Sequence, residues 1–511
     1  MDWTILEFMC TNNRSSCGYC KDVRGPDAPS SSEKVGEEAE GEETSGEEQP
    51  EGRIQSSVTG TNCVERRRQC TYTEHNSNVL TDSRSLAGAR GVWAHRMLVD
   101  DYAGLLDKGW RRSGKYLYKP NNKVTCCPQY TIRLDVTRFK MSRSQKRAMR
   151  QMNEFLATDK RPVCGIKEED PVEKKEEQAA LSKTSDKKCN LASPDAKRAK
   201  PADRPVLKKK EIRRAKFEEK CRKRNVDPEA IRAERRQKDA DRQRTVRSYI
   251  DEARPDWKHK LEVQLVTVGS PEYEQRLDES FELYKKYQKT IHKDKEPRLP
   301  GWRKFLCDSP LLRDTKAGVN FGAFHMWYLL DDKLIAVGIV DVLPRCLSAK
   351  YMYYDPDYSF LSLGTYTALR EIEQTQQFHA KWPPLKYYYM GFYIHSCPKM
   401  RYKAKFRPSE LLCDKSFEWA DYEACRELLD KAEDNGYVEF CPNSDRPIPP
   451  RLENMYVMAP GGIQTFASAL EEVPSAVDDQ ELRRNFEYLA DLVGPNVPNL
   501  VFYFSALNPD D

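Results

Sequence analysis

Two pairs of cysteines have a spacing that suits a metal site. Cys17-Gly-Tyr-Cys20 is a C-x-x-C turn, which can present two thiolates to one ion. Cys126 and Cys127 are neighbours, so their Cα atoms lie about 3.8 Å apart, whereas a disulfide usually needs about 4.4–6.8 Å. A disulfide between them would be strained, whereas the pair can still chelate a metal ion. Four thiolates suit zinc or an iron–sulfur cluster; the alternative is four free thiols in a small core.

A basic segment after a tyrosine-rich stretch has the composition of a nucleic-acid contact. Lysine and arginine bind phosphates, and aromatic rings stack on exposed bases. In this segment Tyr402 and Phe406 stand among the basic residues Lys399, Arg401, Lys403, Lys405 and Arg407. The pattern predicts contact with nucleic acid, and the alternative is a solvated basic loop.

The turn Leu363-Gly364-Thr365 is the third candidate, because it joins a predicted strand to a predicted helix. Backbone N–H groups at a helix N-terminus can bind phosphate. In Gcn5-related N-acetyltransferases a glycine-rich loop at this place holds the pyrophosphate of coenzyme A. Here the repeated glycines are missing, so a fold of that kind is not expected to use coenzyme A, and an ordinary βα turn is the alternative. The sequence contains no recognisable Ser–His–Asp order, H-E-x-x-H motif or Walker A loop.

The elements that must position these groups alternate between strands and helices after about residue 260. Leu334–Leu343 is almost continuously apolar, so we expect that strand to be buried on both faces, after a turn at Asp331–Lys333. A helix is expected to begin near Ser362, with Ser362 or Thr365 as its cap. The other predicted strands are Lys115–Lys119, Tyr130–Leu134, Leu261–Val268, Phe321–Leu330, Ala349–Tyr354 and Tyr387–Ile394, and the other predicted helices are Tyr273–His292 and Asp478–Leu492. This order predicts an α/β fold with a mixed sheet.

Composition separates the 511 residues into packed and solvated parts. Hydrophobic residues make up 39%, below the roughly 45–50% of typical globular domains, so part of the chain should lie outside any core. We predict a cysteine-rich N-terminal domain at 1–160, with a disordered acidic insert at about 26–90, and a charged linker with a basic arm at 161–250. A catalytic domain at 251–450 and a C-terminal extension with a closing helix at 451–511 complete the prediction.

The basic arm has two interpretations. Lys208–Arg247 contains 17 basic and 8 acidic residues. It is either a solvated helix or disordered chain, or an arm that contacts nucleic acid or serves as a nuclear address. The whole chain, with 85 Lys+Arg and 80 Asp+Glu, is too balanced to decide between them.

The sequence also bears on the compartment. It contains no apolar run of about 18 residues, which argues against a membrane span. The first ten residues carry two acids and no basic residue, unlike a secretory signal. We therefore expect the 16 cysteines to be reduced thiols or metal ligands in a cytoplasmic or nuclear protein.

Long stretches of both globular parts match the motifs of one known family. These stretches are Cys17–Cys20, Trp93–His95, Gly109–Pro120, Cys126–Arg133, His292–Lys293, Tyr353–Pro356, Leu363–Gly364, Ala368–Ile372 and Tyr388–Met400. At these residues the sequence resembles the eukaryotic arginyl-tRNA–protein transferases. The resemblance implies an enzyme that moves arginine from arginyl-tRNA to the α-amine of proteins that begin with Asp, Glu or oxidised Cys. This marks them for ubiquitin-dependent degradation in the N-degron pathway.

The resemblance further implies a Gcn5-related N-acetyltransferase-like domain that does not use coenzyme A. It implies a regulatory zinc or iron–sulfur site at Cys17, Cys20, Cys126 and Cys127. Two other classes remain as alternatives: a nonenzymatic metal-binding RNA adaptor and an acetyl-CoA-dependent N-acetyltransferase.

Roles for single residues are predicted from the chemistry that such a reaction needs. The predicted catalytic residues are Asp355, as a general base, and Tyr354; a structural role for Asp355 is the alternative. Asp341 or Asp355 is expected to bind the substrate arginine. The cationic pocket for an acidic first residue is assigned to His292, Lys293, Lys399 and Arg401, and the phosphate contacts of the tRNA are assigned to Lys403, Lys405 and Arg407.

Overall fold

The structure is a computed structural model, and it describes a defined part of the chain. The described residues are 3–8, 90–123, 125–161, 209–224, 226–241, 244–293, 296–432, 436–472, 480–495, 499–504 and 507. They form two compact units, one made of residues 1–159 with 250–511 and the other of residues 160–249. No helix in the described ranges is both long and apolar enough to span a bilayer. The predicted acidic insert, Cys17 and Cys20 lie outside these ranges.

Sixteen strands can be numbered β1 to β16 in chain order within these residues. They are Thr4–Phe8, Arg90–Arg96, Arg111–Ser113, Tyr116–Lys119, Tyr130–Asp135, Leu261–Thr267, Asp314–Lys316, Val319–Leu330, Lys333–Val342, Cys346–Tyr354, Tyr387–Tyr393, Ser409–Leu412, Trp419–Asp421, Tyr456–Ala459, Gly462–Thr465 and Leu500–Tyr503. The larger sheet has the order β13-β12-β5-β11-β10-β9-β8-β6, with β7 paired to β8. The smaller sheet has the order β15-β14-β16-β1-β2-β4-β3.

The α-helices of the described part are numbered α1 to α13. They are Val99–Leu106, Arg143–Thr158, Lys209–Lys223, Pro228–Asp241, Val246–Ile250, Pro271–Gln275, Leu277–Tyr287, Leu299–Trp302, Leu363–Lys381, Pro398–Arg401, Tyr422–Leu429, Phe466–Glu472 and Gln480–Val493. Both sheets contain parallel and antiparallel pairs. The predicted mixed α/β class is therefore confirmed.

The hairpin of β8 and β9 lies between β10 and β6 in the larger sheet. Every residue of β9 from Leu334 to Val342 is buried, which confirms the expectation of a strand buried on both faces. Asp331 and Asp332 connect the two strands and have φ values of 48° and 69°. Two consecutive residues with positive φ form the kind of two-residue hairpin turn whose twist matches that of the flanking strands.

Opposite faces of this sheet are covered by different helices. Val337 and Ile339 of β9 pack with α7 in one core cluster. Gly338 lies against Glu371 of α9, because side chains alternate between the two faces of a strand. The sheet therefore has a helical layer on each side. α9 contacts β10 and β11.

Two helix predictions differ from the structure in detail. The predicted helix Tyr273–His292 is divided into α6, α7 and a π-helical turn at Gln288–His292. Ser362 does precede α9, but its φ of 53° is left-handed and its side chain makes no capping hydrogen bond. Helical spacing of apolar residues fixes which face is buried, and it does not report such local breaks.

The two sheets cross the predicted domain boundaries. β5, from the predicted N-terminal domain, lies between β11 and β12 of the larger sheet. β16, from the predicted C-terminal extension, pairs with β1. The strands on either side of a predicted boundary thus share ladders, and the domain division itself stays a prediction.

Candidate active site

The candidate active site is the gap between the parallel strands β10 and β11. Their ladder ends at the pair Ser348↔Tyr389. Beyond it β10 remains paired with β9 as far as Tyr354, and β11 remains paired with β5 as far as Tyr393. Each strand follows its other neighbour, so the two separate like the arms of a fork. We call this gap the fork.

Irregularities in both strands explain why the fork opens where it does. The register of β10 shifts between Ala349 and Tyr351, and that of β11 shifts between Tyr389 and Phe392. An extra residue in one strand bends that strand and interrupts its ladder. Gly391 has a φ of 71°, a left-handed conformation that glycine adopts without strain. Both arms therefore bend directly after their last shared pair.

Two cations bind the backbone of β11 at the fork. The Lys403 ammonium donates a hydrogen bond to the Phe392 carbonyl at 2.7 Å, and the Arg111 guanidinium donates one to the Gly391 carbonyl at 3.4 Å. Burial lowers the pKa of Lys403 to about 7, and the charge of Arg111 contributes to this. The arm of β11 thus has a positive lining.

Lys350 occupies the register shift of β10. Its ammonium nitrogen is buried and has no hydrogen-bond partner among the described residues. Burial, followed by the charge of Arg112, lowers its pKa to about 7. Lys350 can therefore exchange a proton near neutral pH.

Glu371 of α9 is a buried carboxyl group beside the base of the fork. Its side chain is 3% exposed, and Oε2 accepts a 2.6 Å hydrogen bond from the Tyr388 hydroxyl. A Cβ at Gly338 would lie 2.7 Å from Oε1, so the carboxyl would have to shift if this position carried a side chain. Burial raises the pKa of Glu371 to about 7, although the Tyr388 hydrogen bond opposes the increase.

The predicted catalytic pair Asp355 and Tyr354 lies at the end of β10. Asp355 is buried, and its carboxylate oxygens accept from Lys286 at 2.5 Å and Lys333 at 3.0 Å. It also accepts from the Asp357 N–H and so caps the short turn that follows. Burial alone would raise the pKa of Asp355, but these hydrogen bonds outweigh it and hold the pKa below the usual value. The geometry favours the structural alternative for Asp355 over the general base.

Tyr354 has an aromatic environment. Its ring packs edge-to-face on Tyr287, with 5.1 Å between centroids, and burial raises the pKa of its hydroxyl. The catalytic role predicted for it stays a prediction.

Asp341 lies in a closed ion pair. It is fully buried in β9, and Arg112 donates to both of its oxygens, from Nε at 2.8 Å and from Nη2 at 2.5 Å. This bidentate pair is the strongest geometry that a guanidinium and a carboxylate can form. An arginine of the chain therefore fills the position at which Asp341 was predicted to bind the substrate's arginine.

The four residues predicted to form the acidic-residue pocket lie on two exposed segments. His292, whose ring contacts Tyr287 at 5.3 Å, ends the π-helical turn after α7, and Lys293 follows with a φ of 55°. Lys399 and Arg401 are exposed on α10.

Tyr287 connects these two segments. Burial raises its pKa to about 12, and the neighbouring Tyr354 and Tyr402 add to the increase. Tyr402 follows α10 directly in the chain. Both segments therefore border the same tyrosine cluster, which consists of Tyr287, Tyr354 and Tyr402. Their binding role stays a prediction.

The three predicted tRNA contacts differ in their exposure. Lys403 lies at the fork, as described above. Lys405 is exposed, and Arg407 is exposed with an ion pair to Glu423 at 2.6 Å. Lys405 and Arg407 thus present positive charge to solvent beside the fork.

Cys126 and Cys127 pack beneath the segment that follows β11. Both thiols are buried, their sulfur atoms lie 4.0 Å apart, and they form a small cluster with Ile394. The Ser396 hydroxyl donates to the sulfur of Cys127 at 3.8 Å. One half of the predicted metal site therefore lies next to the chain that forms the fork.

Sequence reasoning did not single out Glu371, although it lies within one of the quoted stretches. A signal was present. Thr367, Glu371 and Thr375 are four residues apart, so they form a polar stripe on one face of α9, and all three are buried. A glutamate on a buried helix face needs a partner, and the spacing alone could not name Tyr388.

Two family descriptions match the chain. Residues 67–147 match "Arginine-tRNA-protein transferase, N terminus", and residues 279–413 match "Arginine-tRNA-protein transferase, C terminus". The first range contains β5 and the second contains β11, and these strands pair with each other. The two matched halves thus build one sheet.

Related proteins agree with these matches. Arginyl-tRNA–protein transferase 1 of Drosophila melanogaster is 38% identical over 380 residues, which cover 65% of this chain and 77% of that protein. Arginyl-tRNA–protein transferase 2 of Arabidopsis thaliana is 32% identical over 67% of this chain and 73% of that protein. An aspartate/glutamate leucyltransferase of Pseudomonas savastanoi is 36% identical over 26% of this chain and 52% of that protein. On these matches the chain belongs to the arginyl-tRNA–protein transferase family.

Proposed function

We propose that the protein transfers arginine from arginyl-tRNA to the α-amine of proteins that begin with Asp, Glu or oxidised Cys. One observation carries the proposal: the two halves that match the family meet in the β5–β11 ladder, on one arm of the fork. The product then enters the N-degron pathway and leads to ubiquitin-dependent degradation. The cytoplasm and nucleus are the compartments that we propose.

The reaction needs no ATP because the aminoacyl ester is already activated. The neutral amine attacks the ester carbonyl, a peptide bond forms, and the bond to the ribose oxygen breaks. The amine loses a proton, and the ribose oxygen takes one up. An N-terminal amine has a pKa near 7.7–8.0, so a useful fraction is neutral at physiological pH. The main task of the protein is then to hold amine and ester about 3–3.5 Å apart.

The fork is where we place the reacting ester. The finer fold that we propose is Gcn5-related N-acetyltransferase-like, which is supported by the order of β8 to β11 with α9 between the two parallel strands. The first turn of α9 has the single glycine Gly364, which supports a donor other than coenzyme A. Lys403 and Arg111 give the fork a positive lining that suits the phosphates near the 3′ end of tRNA.

The acidic first residue of the acceptor would be bound by the exposed cations near the tyrosine cluster. His292, Lys293, Lys399 and Arg401 are the proposed residues, and Lys405 and Arg407 would bind more distant phosphates of the tRNA. Such contacts release counterions, so binding of arginyl-tRNA should weaken as salt rises. Affinity that is independent of salt would argue against this assignment.

A regulatory metal centre is the proposed role of Cys17, Cys20, Cys126 and Cys127. The described pair fits such a group, since a tetrahedral site with Zn–S bonds of about 2.3 Å separates its sulfurs by roughly 3.8 Å, close to the 4.0 Å observed. The Ser396 hydroxyl would support the Cys127 ligand. Serine at each position should remove zinc, or iron and sulfide, from anaerobically purified protein; unchanged metal content in all four variants would refute the centre.

A transfer assay tests the proposed function. Purified protein is incubated with labelled arginine, arginyl-tRNA synthetase, ATP for the charging step, tRNA and an Asp-starting peptide, with and without ribonuclease. Label should enter the peptide only while tRNA is intact, and acetyl-CoA should have no effect. Acetylation of the peptide would identify an acetyltransferase, and tRNA binding without transfer would identify an RNA adaptor. A parallel reaction with leucyl-tRNA tests whether the protein uses arginine or the leucine that the name of the bacterial relative indicates.

A further inference from the structure

A transferase that selects arginine needs an acidic group for the guanidinium, and the two predicted aspartates are already paired. Asp341 accepts from Arg112 with both oxygens, and Asp355 accepts from Lys286 and Lys333. A second guanidinium at either carboxylate would have to displace a cation that the chain itself supplies. The acidic group for the substrate must therefore lie elsewhere.

Glu371 is a buried carboxyl whose described neighbours include no salt-bridge partner. Its hydrogen bond comes from the neutral hydroxyl of Tyr388, and no Lys or Arg lies within ion-pair distance in the described part of the chain. A buried carboxylate without a cation is costly, so a cation that reaches it relieves that cost. Gly338 makes room for it in the middle of a buried strand.

Tyr388 donates a hydrogen bond to this carboxyl, and two further tyrosines lie within its electrostatic influence. Tyr328 of β8, Tyr388 of β11 and Tyr402 after α10 all lie close enough for the charge of Glu371 to raise their hydroxyl pKa, in addition to the effect of burial. Tyr328 and Tyr388 are buried, whereas Tyr402 is 43% exposed. The cluster of Glu371, Tyr328, Tyr388 and Tyr402, which we call the tyrosine cage, therefore has two buried rings and one partly exposed ring.

We propose that Glu371 and the tyrosine cage bind the guanidinium of the arginyl group and so select arginine over uncharged side chains. This rests on the proposed function. A guanidinium fits because it donates two parallel hydrogen bonds to a carboxylate and also stacks on aromatic faces. Tyr388 links the site to the fork, because it pairs with Leu347 in the last stretch that β10 and β11 share.

The environment of Glu371 suits a site that is filled and emptied in every cycle. Burial raises its pKa to about 7, so the empty site can hold a proton instead of a bare charge. An arriving guanidinium stabilises the carboxylate, and the proton leaves to solvent. A neutral side chain of the same shape leaves the carboxyl without a cation and loses this stabilisation.

The test compares two donors whose side chains have nearly the same shape but differ in charge. One tRNA carries arginine, and the same tRNA is charged with citrulline, whose neutral ureido group has the shape of a guanidinium. We measure kcat/KM for both with one Asp-starting peptide, in the wild type, Glu371→Gln and Glu373→Gln. Glu373 is the matched control, because it is a buried glutamate of the same helix that accepts a hydrogen bond from Gln377 instead of lying in the cage.

The proposal expects the preference for arginine over citrulline to fall about tenfold to a hundredfold in Glu371→Gln. The affinity for uncharged tRNA should stay at the wild-type value, and Glu373→Gln should keep the wild-type preference. An unchanged preference in an active Glu371→Gln enzyme overturns the proposal. A wild type that transfers neither amino acid contradicts the proposed function instead, so the two failures are distinct.

The wild type supplies a second test in case the variant does not fold. Glu371 must be ionised to bind the guanidinium, so the preference should be high at pH 8 and fall towards pH 6. The titration of the peptide amine cancels in the ratio of the two donors. The titratable groups that face Glu371 are Tyr328, Tyr388 and Tyr402, which stay neutral in this range, and Arg370 on its own helix bonds to Tyr366. A preference that is constant from pH 6 to 8 overturns the proposal.

Discussion

The two faces of β9 each have a buried carboxyl group, and the two groups have different partners. On one face Asp341 forms a bidentate pair with Arg112. On the other face Glu371 packs against Gly338 with a tyrosine hydroxyl as its partner. Both groups are almost fully buried, so exposure alone does not separate them. The difference lies in where the counter-charge comes from: the chain supplies it on the first face, and on the second face a ligand can.

This comparison separates an acid that the fold neutralises from an acid that a substrate cation is proposed to neutralise. A carboxylate with an internal cation is part of the folded framework, and its loss should appear as lost stability. A carboxyl without a cation lowers stability when it ionises, and its use should appear in substrate selection. The predictions below test this contrast.

The largest effect is expected for Asp341→Asn. It leaves the Arg112 guanidinium buried without its charge partner, which should lower the free energy of unfolding by about 3–5 kcal/mol. Denaturant unfolding measures this loss. The double variant Arg112→Met, Asp341→Leu should regain part of it, because no unpaired charge remains. A loss below about 1 kcal/mol in Asp341→Asn would show that the pair is not structural.

Glu371→Gln should change the pH dependence of stability. The pKa of Glu371 is about 7 in the folded protein against an ordinary value of 4.5, so the folded state holds the extra proton between these values. The stability of the wild type should therefore fall relative to the variant as pH rises from 4.5 through 7, by on the order of 3 kcal/mol. Unfolding curves at pH 5 and pH 8 measure this. If the unfolding free energies of wild type and variant differed by the same amount at both pH values, burial would not have raised the pKa of Glu371.

Asp355→Asn should have the smallest effect. The two lysines are half-exposed, so their ion pairs are screened, and the expected loss of stability is about 1 kcal/mol. Asparagine keeps an oxygen for the Asp357 N–H. We expect kcat to fall by less than about tenfold, whereas loss of a general base costs about a hundredfold or more. A hundredfold lower kcat with normal stability would restore the catalytic role.

Local elements of the fold were predictable because they depend on neighbours in sequence. The apolar run Leu334–Leu343 predicted a doubly buried strand, and Asp331 and Asp332 predicted its turn. The entry of β5 into the larger sheet was not predictable, because its partners lie more than 250 residues away and no local pattern encodes such pairing.

The candidate site also has features that were predictable from sequence neighbours and features that depend on long-range contacts. The sequence identified Cys126 and Cys127 as neighbours, and the structure places their sulfurs 4.0 Å apart. It could not show that Asp341 meets Arg112, which lies 229 positions away, or that Tyr388 meets Glu371. Residue type indicates that a buried acid needs a partner, but only the fold determines whether that partner belongs to the chain.

The most direct measurement of the central claim uses two peptides that begin with Asp and differ only in acetylation of the α-amine. Each is incubated with the purified protein and preformed arginyl-tRNA, and the products are identified by mass spectrometry. The account predicts one added arginine on the free peptide, at its N-terminus, and none on the acetylated peptide. Absence of transfer to the free peptide, or equal transfer to the acetylated one, would contradict it.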